Sequence, residues 1–162
     1  MQDQVMGAAP SAYAYPLLIK HLLHTSLAHA PNQEIIYRGQ HRQTYATLRE
    51  RIARQANGLS QLGTLHGSTV AVMDWDSHRY LECYFAIPMM GAVLQTVNVR
   101  LSQTEIAYTI NHAGTDVLFV HTDFLRVVEA IKDELETVRT FVWIDDESSE
   151  ACAHTIPFQS RP

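Results

Sequence analysis

Apolar residues recur along this chain with two periods, one helical and one extended, and their alternation lays out the elements. Leu17, Leu18, Leu22, Leu23 and Leu27 fall at helical spacing up to the Pro31-Asn32 turn, with Pro16 at a first helical position. The short β-prone runs 34–37 and 42–45 flank Gly39 and predict a hairpin. From Thr44, an N-cap residue type, Leu48, Ile52, Ala56, Leu59 and Leu62 mark a long helix closed by Gly63. Its outer face carries Arg49, Glu50, Arg51 and Arg54, which read as a solvated face.

Beyond Gly67 the pattern becomes strand, helix, strand over 69–73, 79–90 and 92–97. Ser102 with Glu105 forms a capping box, and Ile106, Ile110 and Ala113 carry its helix to Gly114. A strand over 117–120, a helix over 124–135 and a strand over 140–144 follow. This alternation predicts an α/β fold, a mostly parallel sheet flanked by helices on both faces, because right-handed crossovers put them there. Residues 1–15 read as an N-terminal arm, 16–144 as the α/β unit, and the polar, turn-rich 145–162 as a linker or truncated end.

The apolar fraction of 46% over 162 residues suits one packed domain. A formal charge of −5, with 12 Lys and Arg, argues against a nucleic-acid groove, which needs a basic stripe to neutralise phosphates. Cys83 lies on a helix face between Leu81 and Phe85 and reads as a buried free thiol; Cys152 is remote, so no disulfide framework is indicated. The N-terminus has neither a basic start nor a long apolar region, and no apolar run approaches the ~20 residues that span a bilayer. A cytoplasmic protein without a transmembrane segment is expected.

Two chemistries suggest themselves from single motifs. The apolar strand before Asp74 ends in Asp-x-Asp with Asp76, and a second strand ends in Asp145 and Asp146. A nucleophilic carboxylate with a neighbouring acid can bind Mg²⁺ and attack a phosphoryl group, with Lys132 as the stabilising cation. In outline this resembles the haloacid-dehalogenase superfamily. That family follows its acids with Gly and then Thr or Val, whereas here Ser77, His78 and Arg79 lead straight into a helix. The simpler reading is that Asp at a strand end caps the next helix. His21 and His24 share a helix face, yet a zinc site needs about four ligands and neither cysteine is near them in sequence, so they read as surface histidines. His78 beside Asp76 reads as a helix-start contact. No Gly-x-Gly-x-x-Gly, Gly-Lys-Ser/Thr or Gly-x-Ser-x-Gly motif is present.

The order of signals carries more than any one of them. Thr44-Tyr45 opening a helix with Leu48, a Gly before the strand VAVMDWD, the helix LECYFAIPMMGAV, and then Asn98-Val99-Arg100-Leu101-Ser102 with Glu105 together resemble the N-terminal part of the adenylate-forming (AMP-binding) acyl-CoA synthetases, the long- and medium-chain fatty-acid ligase branch in particular. The resemblance extends over about 16–144. It implies the N-terminal subdomain of the synthetase large domain, with Asn98, Arg100 and Leu101 as motif residues that organise a loop at the sheet edge. Asn98 can satisfy backbone groups left by the strand, and the Arg100 fork can clamp carbonyls or a carboxylate, from this chain, a ligand or a neighbouring subunit. Three positions depart from the pattern: Asp76 for Asn, Thr47 for Glu and Val99 for Pro.

The resemblance further implies a parent enzyme that converts a fatty acid, ATP and coenzyme A to acyl-CoA, AMP and pyrophosphate, using Mg²⁺. The family's phosphate loop ending in Pro-Lys-Gly, its adenine and ribose contacts, its hinge and its catalytic Lys have no counterpart in these residues. The chain is therefore expected to be an inert N-terminal portion that binds no cofactor or metal, holds no catalytic residue and needs the remainder of the synthetase. As in some fatty-acid ligases it resembles, a homodimer contact is expected at Tyr13, Tyr15, Pro16 and Leu17. A Mg²⁺-dependent phosphatase using Asp74 and Asp76, and a non-catalytic interaction module, are the alternatives.

Overall fold

Four consecutive strands of this chain run parallel because a helix crosses over between each pair. The computed structural model describes residues 9–13 and 15–145 and the backbone of 156–157. A hairpin, β1 (Glu34–Tyr37) and β2 (His41–Thr44), stands apart as its own two-stranded sheet. The main sheet has the order β4-β3-β5-β6-β7, with β3 (Thr69–Met73), β4 (Val93–Thr96), β5 (Thr115–His121) and β6 (Thr140–Ile144) parallel and the two-residue β7 (Ile156–Pro157) antiparallel at one edge.

Every residue of β3 is buried, as befits a strand covered on both faces. Val70 and Val72 face one side with Tyr80, Cys83 and Ile87 of α3 (His78–Met89) and Leu59 of α2 (Tyr45–Gln61). Ala71 and Met73 face the other, against Ile106 and Ile110 of α4 (Gln103–His112) and Val128 and Ile131 of α5 (Leu125–Ile131). A third cluster, Leu23, Leu48, Ile52 and Ala86, stacks α1 (Ile19–His29) and the hairpin onto α2 and α3.

The caps behave as the residue types dictate. Thr44 Oγ1 accepts the Thr47 N–H at 3.2 Å, and Ser102 and Glu105 exchange side-chain and backbone bonds at 3.0 and 3.3 Å. Gly91, at φ +83°, turns the chain from α3 into β4, a left-handed conformation that favours glycine; a Cβ there would lie 2.5 Å from Cδ2 of the exposed His66 and displace that ring.

Five sequence expectations are corrected. Pro16 does not open α1, which starts at Ile19 behind an extended Leu18 that makes no side-chain cap. Leu17 precedes the helix and lies exposed, and on α1 itself Leu22 is exposed and only Leu23 is fully buried. The helix expected over 124–135 is three pieces, a 3₁₀ turn at Thr122–Phe124, α5, and a 3₁₀ turn at Lys132–Glu134. Strand β5 begins two residues early, at Thr115, because its polar start is satisfied: Thr115 Oγ1 donates to Gln95 Oε1 at 2.5 Å and Asp116 accepts the Thr69 N–H at 3.2 Å. Finally, Arg51 is not on a solvated face. It is half-buried and forks onto the buried Glu82 of α3, donating from Nε and, at 3.3 Å, from Nη2. Asp146, Cys152 and most of the expected 145–162 segment lie outside the described residues.

Candidate functional site

In parallel α/β sheets ligands gather beyond the carboxyl ends of the strands, where consecutive connections leave in opposite directions. Here that point lies between β3 and β5. The chain leaves β3 through α3 to reach β4 on one side, then crosses back through α4 to β5 on the other.

Asp74 follows β3 and is buried, with its carboxylate committed at both oxygens. Oδ1 accepts the Trp75 N–H at 2.6 Å, and Oδ2 accepts the Ser77 hydroxyl. Ser77 Oγ in turn accepts the N–H groups of Arg79 and Tyr80 at 3.2 and 3.3 Å and so caps α3. The acid therefore holds the cap that starts the next helix. Asp76, exposed in this loop, has φ +56°, a left-handed conformation that Asp and Asn tolerate better than most side chains. This gives a physical reason why either residue can stand there.

Between these acids is Trp75, which is 43% exposed. Its indole Nε1–H donates to Asp123 Oδ2 at 2.8 Å, and the ring leans on Phe124 with centroids 4.7 Å apart, tying the end of β3 to the end of β5. His121, the last residue of β5, accepts the Asp123 N–H on Nδ1 at 3.2 Å. Arg79, buried at the start of α3, donates from Nε to the Asp145 carbonyl at 3.1 Å and ties in the end of β6. Trp75, Arg79, His121 and Asp123 were not singled out from the sequence. The usable signal was their position, Trp75, His121 and Asp123 within two residues of a strand's carboxyl end and Arg79 in the first turn of the helix that follows β3.

The motif residues sit after β4. Asn98 Oδ1 accepts the Arg100 N–H at 3.1 Å and its carbonyl accepts the Leu101 N–H at 3.3 Å, forming a turn. Arg100 is exposed, and Leu101 packs against the core beneath α4 and α5. Tyr13, Tyr15, Pro16 and Leu17 are exposed ahead of α1, with the Tyr13 and Tyr15 rings 6.4 Å apart and Tyr15 5.3 Å from the His21 ring. Lys132 is exposed at the C-terminal end of α5, and His24 is exposed on α1. Among the described residues no three His, Cys, Asp or Glu side chains converge on a metal position. With both Asp74 oxygens engaged, the phosphatase reading loses its nucleophile.

Burial pushes the Cys83 thiol up to about 12, and Gln55 Nε2 donates to its sulfur at 2.8 Å. Burial likewise raises Tyr80 above the usual phenol range, helped by Tyr84 and by Asp76 nearby. Neither group is an acid–base catalyst near neutral pH. No described helix is long and apolar enough to cross a membrane.

Comparison with known proteins places this geometry. The profile of the family described as AMP-binding enzyme matches residues 23–160. A long-chain-fatty-acid–CoA ligase of Thermus thermophilus is 48% identical over 110 residues, covering 68% of this chain and 20% of the relative. A 3-methylmercaptopropionyl-CoA ligase of Ruegeria lacuscaerulensis is 36% identical over 98 residues, covering 60% and 18%. The crystal structure of a putative long-chain-fatty-acid CoA ligase from Rhodopseudomonas palustris superposes with a TM-score of 0.74 at 25% identity, covering 85% of this chain and 35% of that one. The chain thus spans about a fifth of the length of these curated relatives. Its profile match, its ordered motifs and its doubly wound sheet agree: the chain belongs to the AMP-binding enzyme family.

Proposed function

We propose that this chain is the N-terminal α/β scaffold of an ATP-dependent acyl-CoA ligase acting on fatty acids. In this reading 16–144 is the scaffold, 1–15 an arm and 145–162 the link onward. The observation that carries it is the 48% identity to a long-chain-fatty-acid ligase over two thirds of the chain, joined to coverage of only a fifth of that ligase. Formation of an acyl-adenylate and transfer to coenzyme A need donors that grip a triphosphate and its Mg²⁺. The described residues do not fit that task. They contain no glycine-rich phosphate loop, no converging trio of metal-ligating groups, and an Asp74 already occupied by its own helix cap. ATP, Mg²⁺ and coenzyme A are accordingly assigned to the remainder of the enzyme, and no chemical step is routed through this chain.

What the chain supplies is position. The cap chain Asp74–Ser77, the Trp75–Asp123 bond and the Arg79–Asp145 bond fix three strand ends into one rigid edge for the remaining domain to pack upon. The exposed segment Tyr13, Tyr15, Pro16 and Leu17 is assigned to a homodimer contact. The decisive test replaces the matching segment of the Thermus ligase with residues 16–144. A folded chimera is expected to retain fatty-acid-dependent ATP–pyrophosphate exchange, while the 162-residue chain alone shows none. A folded chimera without exchange activity, or exchange by the isolated chain, refutes the assignment.

A further inference from the structure

The hairpin turns one face inward, made by Ile35 and Tyr37 on β1 and by His41 and Gln43 on β2. Ile35 packs against the Leu23, Leu48, Ile52 and Ala86 cluster, and Gln43 is its register partner. Tyr37 and His41 lay their rings against His78 at the start of α3, with centroids 5.3 and 3.9 Å away. Gln43 is 4% exposed, in a place where an apolar side chain would complete the cluster. Among the described residues neither its Nε2 nor its Oε1 has a hydrogen-bond partner, and the same holds for His41 Nε2, two residues away on the same face. Folded proteins satisfy such enclosed groups either with other protein groups or with ordered water.

The spacing and the charge narrow the guest. Residues two apart on a strand present their side chains to the same face, so the flexible Gln43 amide and the His41 ring can reach one small molecule held between them. The hairpin's ion pair of Arg42 with Glu34, at 2.8 Å, lies on the outward, solvated face. A primary amide beside an imidazole offers both donors and acceptors to a neutral guest. The geometry points to an enclosed hydration site beneath the hairpin, in which ordered water bridges the Gln43 amide and His41 Nε2. The joint between hairpin and α3 is then wet, and Gln43 serves there through its hydrogen bonds.

The test is water–protein cross-relaxation on the isotope-labelled 162-residue chain. The Gln43 side-chain amide protons are expected to show water cross-peaks of the same sign as intramolecular ones, marking a long-lived bound molecule. Replacing the amide in Gln43→Leu is expected to lower the thermal midpoint, since His41 Nε2 loses its bridge. Absence of those cross-peaks in the wild-type chain overturns the proposal. So does a Gln43→Leu chain that melts higher than wild type, the behaviour of an amide buried dry. Should the variant fail to fold, the wild-type spectra decide alone.

Discussion

Glu82 shows how one side chain can change the meaning of another. It is 6% exposed at its side chain on α3, and among the described residues the Arg51 fork from α2 compensates its charge. A buried pair is weak evidence of net stabilisation, because both ions have lost their hydration, but removing one partner strands the other. Arg51→Ala is therefore expected to cost about 3–5 kcal/mol in chemical denaturation. The double change Arg51→Met with Glu82→Leu should recover most of that loss, since it removes both desolvated charges together. Equal losses in the single and double variants would show that packing between α2 and α3, and not the charge, sets the effect. Asp74 makes a related point: an acid that reads as a nucleophile is engaged through both oxygens in starting α3.

At the scale of elements, α4 is the clearest case of a helix whose start is written locally. The Ser102 hydroxyl and backbone N–H hold the Glu105 carboxyl below its ordinary value of 4.5. A carboxyl depressed in the folded state contributes stability above its unfolded value and loses it as pH falls through the folded one. Fraying of the first turn of α4 is thus expected only below about pH 4.5, seen as faster exchange of the Ser102 amide. Glu105→Gln, which can still accept from the Ser102 N–H, should make that exchange insensitive to acid. An acid response unchanged in the variant would assign it to another group. The helix after β5 behaves differently. Its apolar spacing predicts one helix, but His121 accepts the Asp123 N–H and the chain enters and leaves α5 through 3₁₀ turns.

At the scale of the whole molecule, the apolar surface is uneven. Tyr13, Tyr15 and Leu17 are 89%, 54% and 94% exposed, a concentration beyond the scattered apolar residues usual on a surface. If the assigned homodimer contact is correct, sedimentation velocity should show a dimer that the pair Tyr15→Ser and Leu17→Asp converts to a monomer without changing the far-ultraviolet spectrum. A wild-type chain that is monomeric, or a variant that remains dimeric, removes the assignment.

The order of elements, the parallel sheet and the caps at Thr44 and Ser102 were legible along the chain, since each depends on neighbours a few residues away. The same is true of family membership, because motifs such as Asn98-Val99-Arg100-Leu101 are contiguous. What linear order could not show was pairing across elements. Arg51 with Glu82, Trp75 with Asp123, Arg79 with the Asp145 carbonyl, and the rings of His41 and His78 join positions from 31 to 66 residues apart in the first three cases. Hydropathy period records whether a position faces water or protein, whereas a hydrogen bond or an ion pair also needs a partner at the right distance and angle. Only the folding of distant segments against one another supplies that partner.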